Sequence, residues 1–376
     1  MKKGTAGLFR VGMLAVLTGM LILLSAGAYA DFAETSTSFD PELAQYALTV
    51  AEMCYSPSRQ ASMLKNDGFE RVGIFNDRRA LNDSRHVAAY SVYERQTEHG
   101  TTEVLIAIRA TGDGEWKLNL DMMPSGNYDL PYAENFFLAA EDILTTQEPY
   151  LSGLVSPVFL ITGHSRGAAV ANLLGARLTD RFGEENVFVY TFASPATVRG
   201  EAAAYGNIFN VINPSDIITC LPFRQWGFRR YGTDIILPVE DASLYPIAEE
   251  AYAARPDQSG SFVTSLGSTA IVSRIVSAME QLVPDPASGF TVSHALSHTG
   301  EAEEGEPGMT AGEFLLALFE DGGSFSGIGA DLQQAENDFT PLLLALKQSA
   351  EELGSSWISG MHIPATYGAW ITAMSE

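Results

Sequence analysis

The sequence predicts an α/β fold with a mostly parallel sheet and flanking helices. Three observations carry this expectation. Short, nearly continuous apolar runs recur at residues 157–162, 187–192 and 208–212, the pattern of strands covered on both faces of a parallel sheet. Helix-like stretches at 131–144 and 168–178 alternate with them, as in βαβ architectures. At one strand-to-helix junction lies Gly163-His164-Ser165-Arg166-Gly167, a pentapeptide suited to a tight, strained turn.

Taken in order, the chain begins with a segment that should not belong to the fold. Lys2, Lys3 and Arg10 precede an apolar stretch over 11–24, and Ala28-Tyr29-Ala30 then offers a small-residue cleavage signature before Asp31. This is the layout of a secretory signal peptide, and the apolar stretch falls short of the ~20 residues that span a bilayer. Residues 1–30 are therefore expected to be an export signal cleaved after Ala30, and the product to be secreted or extracellular. Loss of those three cations takes the net charge from −24 to −27. Such acidity excludes nucleic acid as a partner, which demands a basic footprint. Two cysteines, Cys54 and Cys220, cannot build a cysteine framework or a four-cysteine metal site, although an exported chain leaves their pairing open.

The mature stretch, 31–376, reads as one domain. Asp40 can cap a helix starting at Pro41, with Leu43, Tyr46, Ala47 and Val50 on one face. The stretch 69–75 alternates as a strand does, and 87–93 and 104–108 flank a polar turn containing His99-Gly100, which suggests a hairpin. Residues 231–239 offer one more strand. From about 240 to 356 the pattern changes to helix-like runs separated by Gly-, Ser- and Glu-rich loops.

Gly163-His164-Ser165-Arg166-Gly167 follows a buried strand directly and opens a helix rich in small residues, including Ala168, Ala169 and Ala171. That setting suits a nucleophile elbow with Ser165 as nucleophile, its helix N-terminus aimed at a developing oxyanion. A serine hydroxyl needs a base and an orienting acid, which follow it in the order acid, then histidine, on α/β-hydrolase sheets. Asp216, just beyond the 208–212 run, fits the acid; Asp234 competes but falls within an expected strand. His362, His294 and His298 are the candidates for the base. His362 suits a loop after the last strand, near the C-terminus, whereas His164 occupies a variable position of the elbow.

The chain also resembles the class 3 lipases, an α/β-hydrolase family. Ile106-Ala107-Ile108-Arg109-Ala110-Thr111 is similar to that family's strand ending in Arg-Gly-Thr, and Trp116-Lys117-Leu118-Asn119-Leu120-Asp121 to the block that follows. The elbow, Phe192-Ala193-Ser194-Pro195, the Asp216 segment, and His362 with Tyr367 match in the same order. The departures are Ala110 in place of glycine, Arg166 in place of the residue usual there, and no His-x-Gly-Phe around Asn135-Phe136-Phe137.

The resemblance implies an oxyanion hole from the backbone N–H of Arg166 with the backbone and hydroxyl of Thr111. It implies an esterase acting on carboxylic, lipid or acylglycerol esters, with no cofactor and no metal. It also leaves room for transient contact with a lipid interface. A peptidase, a thioesterase, or a non-catalytic binding homologue on the same fold are the rival expectations. Asp216 and His362 are 146 residues apart. The helical stretch 240–356 is therefore expected as an insertion between acid and base, acting as a cap over the site.

Overall fold

The structure, a computed structural model, describes residues 32, 35–76, 87–110, 131–255, 262, 267–282 and 357–376. The expected leader, Thr111, the 116–121 block, His294, His298 and residues 283–356 lie outside them.

Asp40 starts the fold as expected. Its carboxylate accepts from the amides of Glu42 and Leu43 at 2.8 and 3.1 Å and so caps helix α1, Pro41–Glu52, whose first residue is a proline that needs no amide partner. A second helix, α2 (Pro57–Asn66), leads into strand β1 (Glu70–Phe75). The hairpin follows as β2 (Tyr90–Gln96) and β3 (Thr102–Ile108), paired antiparallel, with β1 antiparallel on the outer edge of β2. Helix α3 (Glu134–Leu151) then crosses to β4 (Pro157–His164), which pairs parallel with β3. Helix α4 (Arg166–Phe182), strand β5 (Val187–Phe192), the two-residue β6 (Val198–Arg199) and β7 (Ile208–Ile212) continue the winding. A short β8 (Phe228–Arg229) pairs only with β6, and β9 (Thr233–Ile236) closes the far edge. The main sheet runs β1-β2-β3-β4-β5-β7-β9, parallel from β3 onward. The expected mostly parallel α/β sheet is thus observed.

Strand alternation sorts the core into two layers. On β3, Val104, Ile106 and Ile108 face α3 and α4, together with Phe159, Ile161 and Val189. Leu105 and Ala107 point the other way, with Leu160, Tyr190 and Phe192, towards α1 and the C-terminal helix α8 (Pro364–Ser375). Burying each large aliphatic side chain contributes ~1.5–3 kcal/mol. The nearly unbroken apolar character of β3, β4 and β5 is the consequence of helices on both sides.

Among the described residues beyond β9, helices join both layers. Helix α5 (Tyr245–Ala253) packs on α8 and buries Ala248 and Tyr252 in the α1 layer. Helix α6 (Ser268–Leu282) places Ile271, Val272 and Ile275 in the α3/α4 layer, beside Trp357 and Met361 of helix α7 (Trp357–His362). Cys54 and Cys220 do not pair. Both thiols are free, Cys54 in the α1 layer and Cys220 in the turn after the acid.

Candidate active site

β4 carries the chain into the elbow, and the backbone geometry explains its glycines. Ser165 sits at φ 56°, ψ −126°, a conformation costing an L-residue ~1–3 kcal/mol. It is held there because its amide donates to the Phe192 carbonyl at 2.8 Å and its carbonyl accepts from the Ala169 amide at 3.1 Å. A Cβ on Gly163 would lie 2.4 Å from the carbonyl of Gly167, and one on Gly167 would lie 2.3 Å from the Ile108 carbonyl oxygen. Only hydrogen lets strand, turn, helix and the neighbouring β3 close in this way. Arg166, the first residue of α4, is buried directly behind the serine.

The candidate base comes from a segment far along the chain. The expected loop around His362 is instead a junction between two helices. His362 ends α7, Ile363 is extended at φ −70°, ψ 147°, and Pro364 opens α8. Proline has no amide to continue the α7 ladder, so the helix stops and a new one starts. This junction sets the His362 ring between two partners. Nδ1 is 2.7 Å from Asp216 Oδ2, and Nε2 is 2.7 Å from Ser165 Oγ. A carboxylate can only accept, so Nδ1 donates to Asp216, and Nε2 is left to accept the serine proton.

Asp216 lies in the turn beyond β7, fully buried. Its Oδ1 accepts from the Ile218 amide at 3.0 Å, and Oδ2 accepts from the Tyr367 hydroxyl at 2.8 Å as well as from His362. Three donors satisfy this buried carboxylate. Burial, then the neighbouring carboxylate, push the Tyr367 phenol well above its ordinary range, so it stays a donor. Its oxygen also accepts from the Asn213 amide at 3.3 Å.

The competing Asp234 is committed elsewhere. It pairs with Arg230 through two contacts of 3.1 and 2.9 Å and accepts from Asn210 at 3.1 Å. Arg230 in turn donates to the carbonyls of Ser194 and Thr219 at 3.0 and 2.8 Å. This pair braces the turns after β5 and β7 and so supports the acid from outside. His99 is exposed in the hairpin turn, away from the sheet's C-terminal edge. Of the sequence-derived site residues, the structure brings together Ser165, Arg166, Asp216 and His362; Thr111 lies outside the described residues.

Two contributors were not legible as such. Asn213 donates from its side chain to the Met361 carbonyl at 3.1 Å. His164, buried beside the serine, lies with Nε2 2.7 Å from the backbone carbonyl of His362. Burial, then the nearby His362, lower its pKa to about 3, so its ring is neutral. Neither side chain announces its role in sequence, because each contact closes across more than a hundred residues of chain. Among the described residues no three or more His, Cys, Asp or Glu are grouped to hold a metal ion.

Comparison with known proteins agrees with the resemblance read from the motifs. The family model for lipase (class 3) matches residues 113–226. Solved structures of similar arrangement include a Rhizomucor miehei lipase–propeptide complex, 18% identical, with 52% of this chain and 66% of that chain covered at a TM-score of 0.41. A lipase from Rhizopus microsporus var. chinensis is 18% identical over 52% of this chain and 73% of its own, also at 0.41. The Rhizomucor miehei triacylglyceride lipase is 18% identical over 53% of this chain and 82% of its own, again at 0.41. No curated protein matches the sequence. The stretch that carries Ser165 and Asp216 thus matches the class 3 lipase family.

Proposed function

We propose that this chain is an exported serine hydrolase of carboxylic esters, lipid or acylglycerol esters in particular, working through a Ser165–His362–Asp216 triad and an acyl-enzyme. One observation carries the proposal: the His362 ring bridges Ser165 Oγ and Asp216 Oδ2, each at 2.7 Å. The family match over 113–226 supplies the ester class.

In this reading Ser165 Oγ attacks the ester carbonyl while His362 Nε2 takes its proton. Asp216 holds the Nδ1–H tautomer and stabilises the imidazolium that forms. The tetrahedral oxyanion takes its hydrogen bond from the Arg166 N–H at the N-terminus of α4, with Thr111 as the proposed second donor. His362 returns the proton to the leaving alcohol, and the acyl group remains on Ser165. Water then attacks with the same base, releasing the acid and restoring the serine. The apolar substrate would be drawn from a lipid interface; of the expected 240–356 insertion, α5 and α6 pack into the layers flanking the sheet.

The test is an ester panel of graded acyl length, run beside peptide and thioester substrates on wild type, Ser165→Ala and His362→Ala. The proposal expects ester turnover in wild type and its loss in both variants. Turnover of peptides or thioesters alone, or activity that survives Ser165→Ala, contradicts it.

A further inference from the structure

The placement of the base rests on more than its ring. His362 is the last residue of α7, and the final carbonyls of a helix have no amide partner within it. With Pro364 two residues on, the next turn cannot supply those amides either. The two carbonyls at this helix end are instead taken by side chains from the two other segments of the triad. The Met361 carbonyl accepts from Asn213 Nδ2 at 3.1 Å, and Asn213 begins the turn that carries Asp216. The His362 carbonyl accepts from His164 Nε2 at 2.7 Å, and His164 immediately precedes Ser165 on β4. The base is thus tied to the nucleophile's strand and to the acid's turn by its backbone as well as by its imidazole.

We infer that His164 is a positioning residue for this hydrolase: as a neutral ring donating Nε2–H, it holds the backbone of His362 so that the base keeps its line between Ser165 and Asp216. The chemistry restricts the ring to this state. A carbonyl only accepts, so His164 Nε2 must carry a hydrogen. The rings of His164 and His362 lie 4.9 Å apart. A charged His164 would therefore face the imidazolium that forms on His362 during the reaction. The neutral tautomer supplies the donor without that repulsion. His164 also sits edge-on to Tyr367 at 6.1 Å between ring centres. The same ring therefore packs against the residue that donates to Asp216, and one buried side chain touches both the base and the acid's support.

The inference rests on the proposed triad, and its test separates the two. His164→Phe keeps an aromatic ring and removes the donor, whereas His164→Gln keeps an N–H near the same place. Displacing a reacting group by about 1 Å can cost on the order of 100-fold. His164→Phe is expected to lower kcat at least about tenfold with KM unchanged, and His164→Gln to return kcat to within about threefold of wild type. Equal kcat in His164→Phe and wild type overturns the inference, as does a loss that His164→Gln does not repair.

Nitrogen-15 NMR of the wild-type imidazoles gives a check that survives any folding failure of the Phe variant. A His164 signal protonated on Nε2 alone supports the assignment, and a signal protonated on Nδ1 or on both nitrogens refutes it. Covalent labelling of wild-type Ser165 by a fluorophosphonate reports the triad separately. Labelled serine with an unaffected His164→Phe sinks only the positioning role, while absence of labelling sinks the proposed chemistry.

Discussion

Tyr367→Phe tests how the acid is held. The substitution deletes one oxygen and leaves the ring, which is wholly buried against α1 and the sheet. Two hydrogen bonds disappear with it. The first runs from the hydroxyl to Asp216 Oδ2 at 2.8 Å; with a charged acceptor it contributes ~1.5–3 kcal/mol. The second, from the Asn213 amide at 3.3 Å, is long and adds about 0.5 kcal/mol at most. Asp216 retains the Ile218 amide on Oδ1 and His362 on Oδ2, while the buried Asn213 N–H loses this acceptor.

The expected loss is therefore about 2–3 kcal/mol in equilibrium urea unfolding, and about tenfold in kcat as the carboxylate drifts from the base. Tyr245→Phe provides the internal comparison. Its buried hydroxyl has no hydrogen-bond partner among the described residues, so its removal is expected to be neutral or slightly stabilising. If Tyr367→Phe unfolds at the same urea concentration as Tyr245→Phe and keeps full kcat, the reasoning about the acid is wrong.

Further outcomes follow from the same geometry. Gly167→Ala drives a Cβ to within 2.3 Å of the Ile108 backbone oxygen, where no side chain can yield; it should cost at least about 2 kcal/mol in urea unfolding and abolish ester turnover. Asp216→Asn should lower kcat by about 10⁴, because the amide disfavours the required tautomer of His362. Asp234→Asn, by contrast, should leave kcat within about threefold and lower stability by about 1 kcal/mol through the Arg230 pair. Equal kcat losses in these two variants would reassign the acid. Burial raises the thiols of Cys54 and Cys220 to about 12 and about 11. Both should resist a thiol reagent at pH 8 in the folded protein and react in urea. The raised values favour the protonated, folded form, so their contribution is complete below the ordinary thiol value of 9.0 and is lost as pH rises through about 11–12. Unfolding free energy that stays flat from pH 8 to 11 contradicts this.

How far the sequence could be read depended on how local each constraint is. The elbow was legible because its glycines answer to backbone crowding within five residues, and because strand and helix adjoin it directly. The buried strands were legible because coverage on both faces leaves an unbroken apolar run. Asp216 was legible from its place after β7, and Asp234 was set apart by falling within an expected strand; in the structure Asp234 pairs with Arg230 whereas Asp216 meets His362. His362 does meet Ser165 and Asp216, but its setting differs from the expected loop. Pro364 serves as the first residue of α8 and creates the helix junction that aims the ring. His164 and Asn213 act through contacts that span 198 and 148 residues, and no periodicity or motif within a segment encodes such partners; Tyr367 was legible through the family resemblance alone, its contact with Asp216 spanning 151 residues.

The central claim is that Ser165 is the nucleophile activated by His362. It is tested most directly by treating the folded protein with a fluorophosphonate and locating the adduct by peptide mass mapping. The account predicts a single adduct on Ser165 in wild type, none in Ser165→Ala, and labelling slowed by about a thousandfold or more in His362→Ala. An adduct on another residue, or labelling of wild type and Ser165→Ala at equal rates, would contradict it.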